Sequence, residues 1–166
     1  MSIMDELLAA NGRFAEGFTL GDVPIHPTKR VAIVTCMDAR VHPERFLGLS
    51  IGDAHVIRNA GGRVSGAIRS LIISTHVLGT REFVVIHHTD CEMLSFSNAD
   101  LHGKLADEHG VDATHIDFLP FSDEVEAVKE DVEAIKASPY LPDAPVSGYI
   151  YDVFSGRLEE VVEPAP

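Results

Sequence analysis

Val31-Ala32-Ile33-Val34-Thr35, followed at once by Cys36, is a short run of small and β-branched apolar residues with almost no polar interruption. Strict alternation would mark a strand with one wet face; an unbroken run marks a strand covered on both faces, as in a parallel sheet wrapped by helices. Two further runs share this character, Ala54-His55-Val56-Ile57-Arg58 and Phe83-Val84-Val85-Ile86-His87. Between them, residues 64–78 place Val64, Ile68, Leu71, Ile72, Thr75 and Leu78 at helical spacing. Strand, helix, strand at that length predicts a right-handed crossover between parallel strands.

Upstream, residues 2–18 carry Leu7, Leu8, Phe14 and Phe18 at roughly helical spacing, and Pro24 and Pro27 then make an extended connector. Downstream, Asn98 to His109 reads as a short polar helix. A stronger helix opens at Ser122, with Asp123 and Glu124 at its positive end and Val125, Val128, Val132 and Ile135 three or four apart. Pro139 and Pro142 stop it. Val146 to Val153 and Arg157 to Val162 flank Ser155-Gly156, the pattern of a hairpin that adds antiparallel strands at a sheet edge. The expected fold is α/β: a mostly parallel central sheet flanked by helices, with an antiparallel C-terminal edge strand or hairpin and an N-terminal helical arm.

Acidic residues outnumber basic ones 26 to 13, for a formal net charge of −13, which counts against nucleic acid and anionic membranes as partners. No apolar run approaches the roughly 20 residues that span a bilayer. The opening Met1-Ser2-Ile3-Met4-Asp5-Glu6 is acidic where a secretory signal is basic. A cytoplasmic protein is expected, whose two cysteines are free thiols or metal ligands rather than a disulfide. The 166 residues suit a single domain, residues 1–27 being the helical arm and connector and 28–166 the core.

Cys36 and Cys91 are the chain's two cysteines, and the second closes the cluster His88-Thr89-Asp90-Cys91. Each ligand group follows an apolar run. If both runs are strands of one parallel sheet, Cys36 and His88 meet at its carboxyl edge, where open α/β folds place their sites. Taken singly, a cysteine is usually a small hydrophobe and a histidine a surface or core residue. Two thiolates and an imidazole brought together suit zinc and leave a fourth tetrahedral position for a reactant. Strand alternation sends His87 to the opposite face, away from the cluster.

In Cys36-Met37-Asp38-Ala39-Arg40, Asp38 and Arg40 stand close enough for a charge-assisted pair beside the metal. Asp38 could accept a hydrogen bond from a zinc-bound hydroxide or take the fourth position itself. Asn59-Ala60-Gly61-Gly62 lies between a strand and a helix; it reads first as a turn, and second as a loop where Asn59, Gly61 and Gly62 approach a small anion.

With Cys36-Met37-Asp38-Ala39-Arg40, Arg58-Asn59-Ala60-Gly61-Gly62 and His88-Thr89-Asp90-Cys91 in this order, the chain resembles a β-class carbonic anhydrase of the compact bacterial type, from about Thr28 to Val153. The resemblance implies one zinc ion per chain on Cys36, His88 and Cys91, with Asp38 and Arg40 as catalytic dyad and Asp38 as fourth ligand in a closed form. It also implies hydration of carbon dioxide to bicarbonate and a homodimer or homotetramer joined through the leading helix. Glu92 departs from the family pattern, in which many members carry glycine. The rivals are hydrolysis of carbon disulfide or carbonyl sulfide on the same scaffold, a non-catalytic zinc-binding module, and a thiol redox protein, the last lacking a Cys-x-x-Cys pair.

Overall fold

Val31–Cys36 is strand β1, and five of its six residues are buried. In the computed structural model, which describes residues 2–165, it lies between β2 (Ala54–Asn59) and β3 (Glu82–His88), parallel to both. β4 (Val146–Tyr151) extends the sheet in parallel, and β5 (Leu158–Ala165) closes it antiparallel, giving the order β2-β1-β3-β4-β5. Three β-branched runs and a C-terminal hairpin therefore form the expected sheet, but β2, read from its sequence as a buried strand like β1, is the sheet's edge and only half-buried along its whole length. The hairpin turn runs from Asp152 to Arg157, where Gly156 at φ +72° donates to the Asp152 carbonyl at 2.8 Å.

Among the described residues five α-helices accompany the sheet: α1 (Ile3–Glu16), α2 (Pro43–Phe46), α3 (Ile68–His76), α4 (Asn98–His109) and α5 (Glu124–Lys136). Helix α5 lays Val128, Val132 and Ile135 onto a sheet face made by Ala32 and Val34 of β1, Phe83 and Val85 of β3, and Val146 and Ile150 of β4. Leu71 of α3 joins the same core with Val64 and Ala67. Burying such side chains contributes about 1.5–3 kcal/mol each, the main force fixing the sheet's carboxyl edge in place.

Two expected boundaries move. The helix after β2 begins at Ile68 rather than near Val64, because Val64 gives its backbone N–H to the Asp131 carboxylate at 3.0 Å and its carbonyl to Ala67 in a tight turn. Helix α5 is capped by Asp123, not Ser122: Asp123 Oδ1 accepts from the amides of Val125 and Glu126 at 2.8 and 3.0 Å.

Helix α1 starts with a capping box between Ser2 and Asp5 and stops at Gly17. Every residue from Ser2 to Asp22 is exposed. Ile3, Leu7, Leu8 and Phe14 remain more than half exposed, so this helix stands off the core as an arm. Among the described residues no helix is long and apolar enough to cross a membrane.

Candidate metal centre

The parallel register sets the site. Cys36 ends β1 and pairs with Asn59, the last residue of β2, while His88 ends β3 opposite Tyr151 of β4. Cys36 and His88 are thus the final residues of their strands rather than the first of the following loops. His87, in phase with Phe83 and Val85, turns toward α5 and meets Asp131 at 3.1 Å, and His88 faces the other way. Asp90, at φ +58°, then folds the chain back so that Cys91 reaches the same point.

The sulfurs of Cys36 and Cys91 and a ring nitrogen of His88 lie within 4.8 Å of one another, all three residues buried. His88 Nδ1 bonds the Thr89 carbonyl at 2.9 Å, which fixes the ring and leaves the buried Nε2 without a protein partner. An oriented imidazole with one free nitrogen beside two thiols is the donor set of zinc. Met93 is buried against the two cysteines, with Phe96 and Phe121 behind, so these candidate donors have an apolar backing.

Protons are already shared unequally here. The Cys91 thiol, with His88 beside it, holds the Cys36 sulfur well below the usual thiol range, while that thiolate and burial push Cys91 upward. Burial opposes charge on His88, yet the Cys36 sulfur and the Thr89 carbonyl outweigh it and raise its pKa.

Beside these donors, Arg40 Nε and Nη2 grip the Asp38 carboxylate at 3.0 and 2.7 Å, and the Arg40 amide adds a bond at 2.8 Å. The guanidinium holds Asp38 well below the usual carboxylate range, so the group is an anion at any working pH. Arg58 donates to the carbonyls of Cys36 and Asp38 at 3.1 and 2.7 Å and fixes the backbone of that loop. Cys36, Asp38, Gly61, Cys91 and Met93 line one cavity of about 370 Å³, together with Glu92 at its edge.

A family profile described as carbonic anhydrase matches residues 31–138. β-Carbonic anhydrase 1 of Mycobacterium tuberculosis is 43% identical over 165 residues, covering 97% of this chain and 99% of the relative. The chain belongs to the β-carbonic anhydrase family. A crystal structure of carbonic anhydrase from Streptococcus mutans superposes with a TM-score of 0.92 at 50% identity, covering 97% of this chain and 98% of that one. A carbon disulfide hydrolase of Acidianus is 35% identical over 158 residues, covering 80% of this chain and 77% of the relative.

β-Carbonic anhydrases use zinc, and the donors of this chain fit it. The glycine turn departs from the sequence expectation in its surroundings. Ala60–Gly62 is a 3₁₀ turn, and α3 begins only at Ile68, well beyond it. Gly61 lines the cavity; Gly62 packs on the backbone of Thr35 and Cys36; Asn59 turns back to donate to the Arg63 carbonyl at 2.8 Å. Glu92 opens a second 3₁₀ turn, its carboxylate accepting from Ser95 at 2.9 Å.

Sequence reasoning missed Asp90, whose carboxylate takes Arg40 Nη1 at 2.7 Å, and Asp131, which gathers Val64, Arg63 and His87 behind the site. Neither has a local signal, since every one of these partners is more than forty residues away in the chain.

Proposed function

We propose that this chain catalyses the reversible hydration of carbon dioxide to bicarbonate, with one zinc ion held by Cys36, His88 and Cys91 and with Asp38 and Arg40 as its catalytic dyad. The observation that carries this reading is the convergence of two buried thiols and an unpartnered imidazole nitrogen within 4.8 Å of one another, the two cysteines lining a cavity that Asp38 also lines. Bound zinc supplies Lewis acidity, lowering the pKa of a coordinated water from 15.7 to about 7.

The chain's residues do the rest. Asp38, kept ionised by Arg40, accepts a hydrogen bond from the attacking oxygen and so fixes where that oxygen's proton points. Arg40 holds Asp38 through a bidentate contact, and Arg58 keeps the loop beneath it from shifting. Gly61 presents no side chain to the cavity, which leaves room for a small linear substrate next to the dyad. The decisive experiment is stopped-flow carbon dioxide hydration on protein of measured zinc content. Activity should rise in proportion to bound zinc; a fully zinc-loaded protein without activity at any pH would remove the assignment.

The relationship to carbon disulfide hydrolase supports a second substrate, carbon disulfide, at the same site. Release of hydrogen sulfide from carbon disulfide, measured beside carbon dioxide hydration, separates the two.

We also infer that the protein works as a homodimer or larger homo-oligomer in the cytoplasm. The arm supports assembly: Ile3, Leu7, Leu8 and Phe14 are exposed apolar side chains that their own core leaves uncovered. Free buried thiols at the site suit a reducing compartment. Sedimentation of the wild type and of Leu8→Glu should show a shift to monomer in the variant.

A further inference from the structure

Arg40 is not committed to Asp38 alone. One edge of its guanidinium grips the Asp38 carboxylate; the other reaches across to the loop after β3, with Nη1 2.7 Å from Asp90 Oδ2 and Nη2 3.0 Å from the Asp90 carbonyl. A single planar group thus joins the loop carrying Cys36 to the loop carrying His88 and Cys91, with both forks occupied. The dyad as read above needs no such second anchor.

We propose that Asp90 is a positioning residue that, through Arg40, keeps Asp38 turned out of the metal's fourth corner and so holds the site open to its reactant.

Asp38 Oδ2 is 3.9 Å from His88 Nε2, yet Asp38 is outside the group of donors that lie mutually within 4.8 Å. A side-chain rotation separates the observed pose from one in which the carboxylate joins the ligands. The backbone is not free to help, because Arg58 holds the carbonyls of Cys36 and Asp38. Arg40 on an unanchored stem could follow Asp38 inward and keep their pairing. Fastened to Asp90, it can do so only by giving up two hydrogen bonds. Asp90 sits at φ +58°, a conformation open chiefly to glycine, asparagine and aspartate. Asparagine would keep the backbone, and only aspartate adds the charge that faces Arg40. The Arg40 and Asp90 side chains are 45% and 59% exposed, so the anchor is a bias rather than a lock.

This inference rests on the zinc reading above, and its test reads the two separately. Cobalt(II) replaces zinc as the optical probe, and thiocyanate, an anion that takes an open metal position, is titrated into wild type, Asp90→Asn, Asp38→Ala and the double variant. Removing a negative charge near an anion site should by simple electrostatics tighten thiocyanate binding. The positioning role predicts the opposite sign. Asp90→Asn weakens apparent thiocyanate affinity about threefold to tenfold, because only the fraction of molecules with an empty corner can bind. Its visible spectrum before thiocyanate moves away from that of the wild type. In the Asp38→Ala background the loss disappears, since no carboxylate remains to swing in. Unchanged or tighter binding in Asp90→Asn overturns the proposal, as does a loss that persists without Asp38. Absence of thiolate-to-cobalt absorption in the wild type would overturn the metal reading and this inference with it.

Discussion

The Asp38 carboxylate stops 3.9 Å from His88 Nε2, the buried nitrogen of that ring with no protein partner. Distance and charge together suit Asp38 to the role proposed for it: its carboxylate stands beside the donors that would hold the metal and is kept ionised by the Arg40 guanidinium. Asp38→Asn should keep its zinc, because no ligand is altered, and should lower turnover about 10²-fold or more, the usual size of a lost acid–base or orienting contact. The sign of the pH dependence follows. A carboxylate whose folded pKa lies well below its ordinary value is charged on both sides of neutrality, so any acid-side fall in rate belongs to another group. Wild type and Asp38→Asn should therefore share one midpoint in their rate profiles, measured by stopped flow beside metal analysis; a midpoint that moves with the substitution would return that titration to Asp38.

Metal removal should expose the unequal sharing of protons between the sulfurs. Cys36 is the thiol held low, first by the Cys91 thiol and then by His88, while Cys91 is pushed up. The thiolate is the nucleophile toward alkylating agents. After chelation at neutral pH, iodoacetamide should label Cys36 ahead of Cys91, and stoichiometric zinc should suppress labelling of both. Peptide mass spectrometry reads the order directly. Equal labelling of the two, unaffected by zinc, would mean that the sulfurs do not share a metal.

Where the local signal was strong, the sequence was legible. Val31–Thr35 and Phe83–His87 read as buried strands because an apolar run needs no distant partner to be recognised, and parallel pairing then carried Cys36 and His88 to one edge. Ser122 and Asp123 were harder to separate, since both residue types cap helices and only the backbone shows which is extended. Asp90 and Asp131 escaped altogether. An exposed-looking aspartate gains its meaning from the guanidinium or imidazole it meets, and Arg40 and His87 come from segments 50 and 44 residues away. Periodicity reports the face on which a side chain lies, not the partner that waits there.

Gly62 sets the turn after β2 against the backbone of the strand bearing Cys36. At φ +70° it occupies backbone space unfavourable to a side chain, and a Cβ would fall 2.9 Å from both the Cys36 nitrogen and the Thr35 carbonyl carbon. Those neighbours are main chain and cannot rotate aside. Gly62→Ala should cost about 1–2 kcal/mol for the backbone and about 1–3 kcal/mol for the overlap, and should lower zinc affinity by moving Cys36. Gly61→Ala shares the positive φ but meets the Met93 and Phe121 side chains at 3.0 and 3.2 Å, which can yield. Urea unfolding and zinc competition with a chromogenic chelator should rank Gly62→Ala below Gly61→Ala in both properties.

Asp131 braces the site from behind. Its side chain is 3% exposed; it accepts the Val64 amide at 3.0 Å, faces His87 Nε2 at 3.1 Å and lies 3.3 Å from Arg63 Nε. These contacts tie α5 to the end of β3 and to the chain just beyond the glycine turn. Asp131→Asn keeps the volume but leaves Arg63, 12% exposed, with Glu130 as its remaining acidic partner, itself 67% exposed. Breaking a buried pair by removing one charge costs about 3–5 kcal/mol. The solvent-facing pair is a different matter, worth about 0–1 kcal/mol, so Glu130→Gln serves as the control. Urea unfolding at one fixed protein concentration should show a midpoint lowered far more by Asp131→Asn than by Glu130→Gln, at constant slope. Equal shifts in the two variants would mean that Arg63 finds its compensation in solvent, and that α5 is held to the site by apolar packing alone.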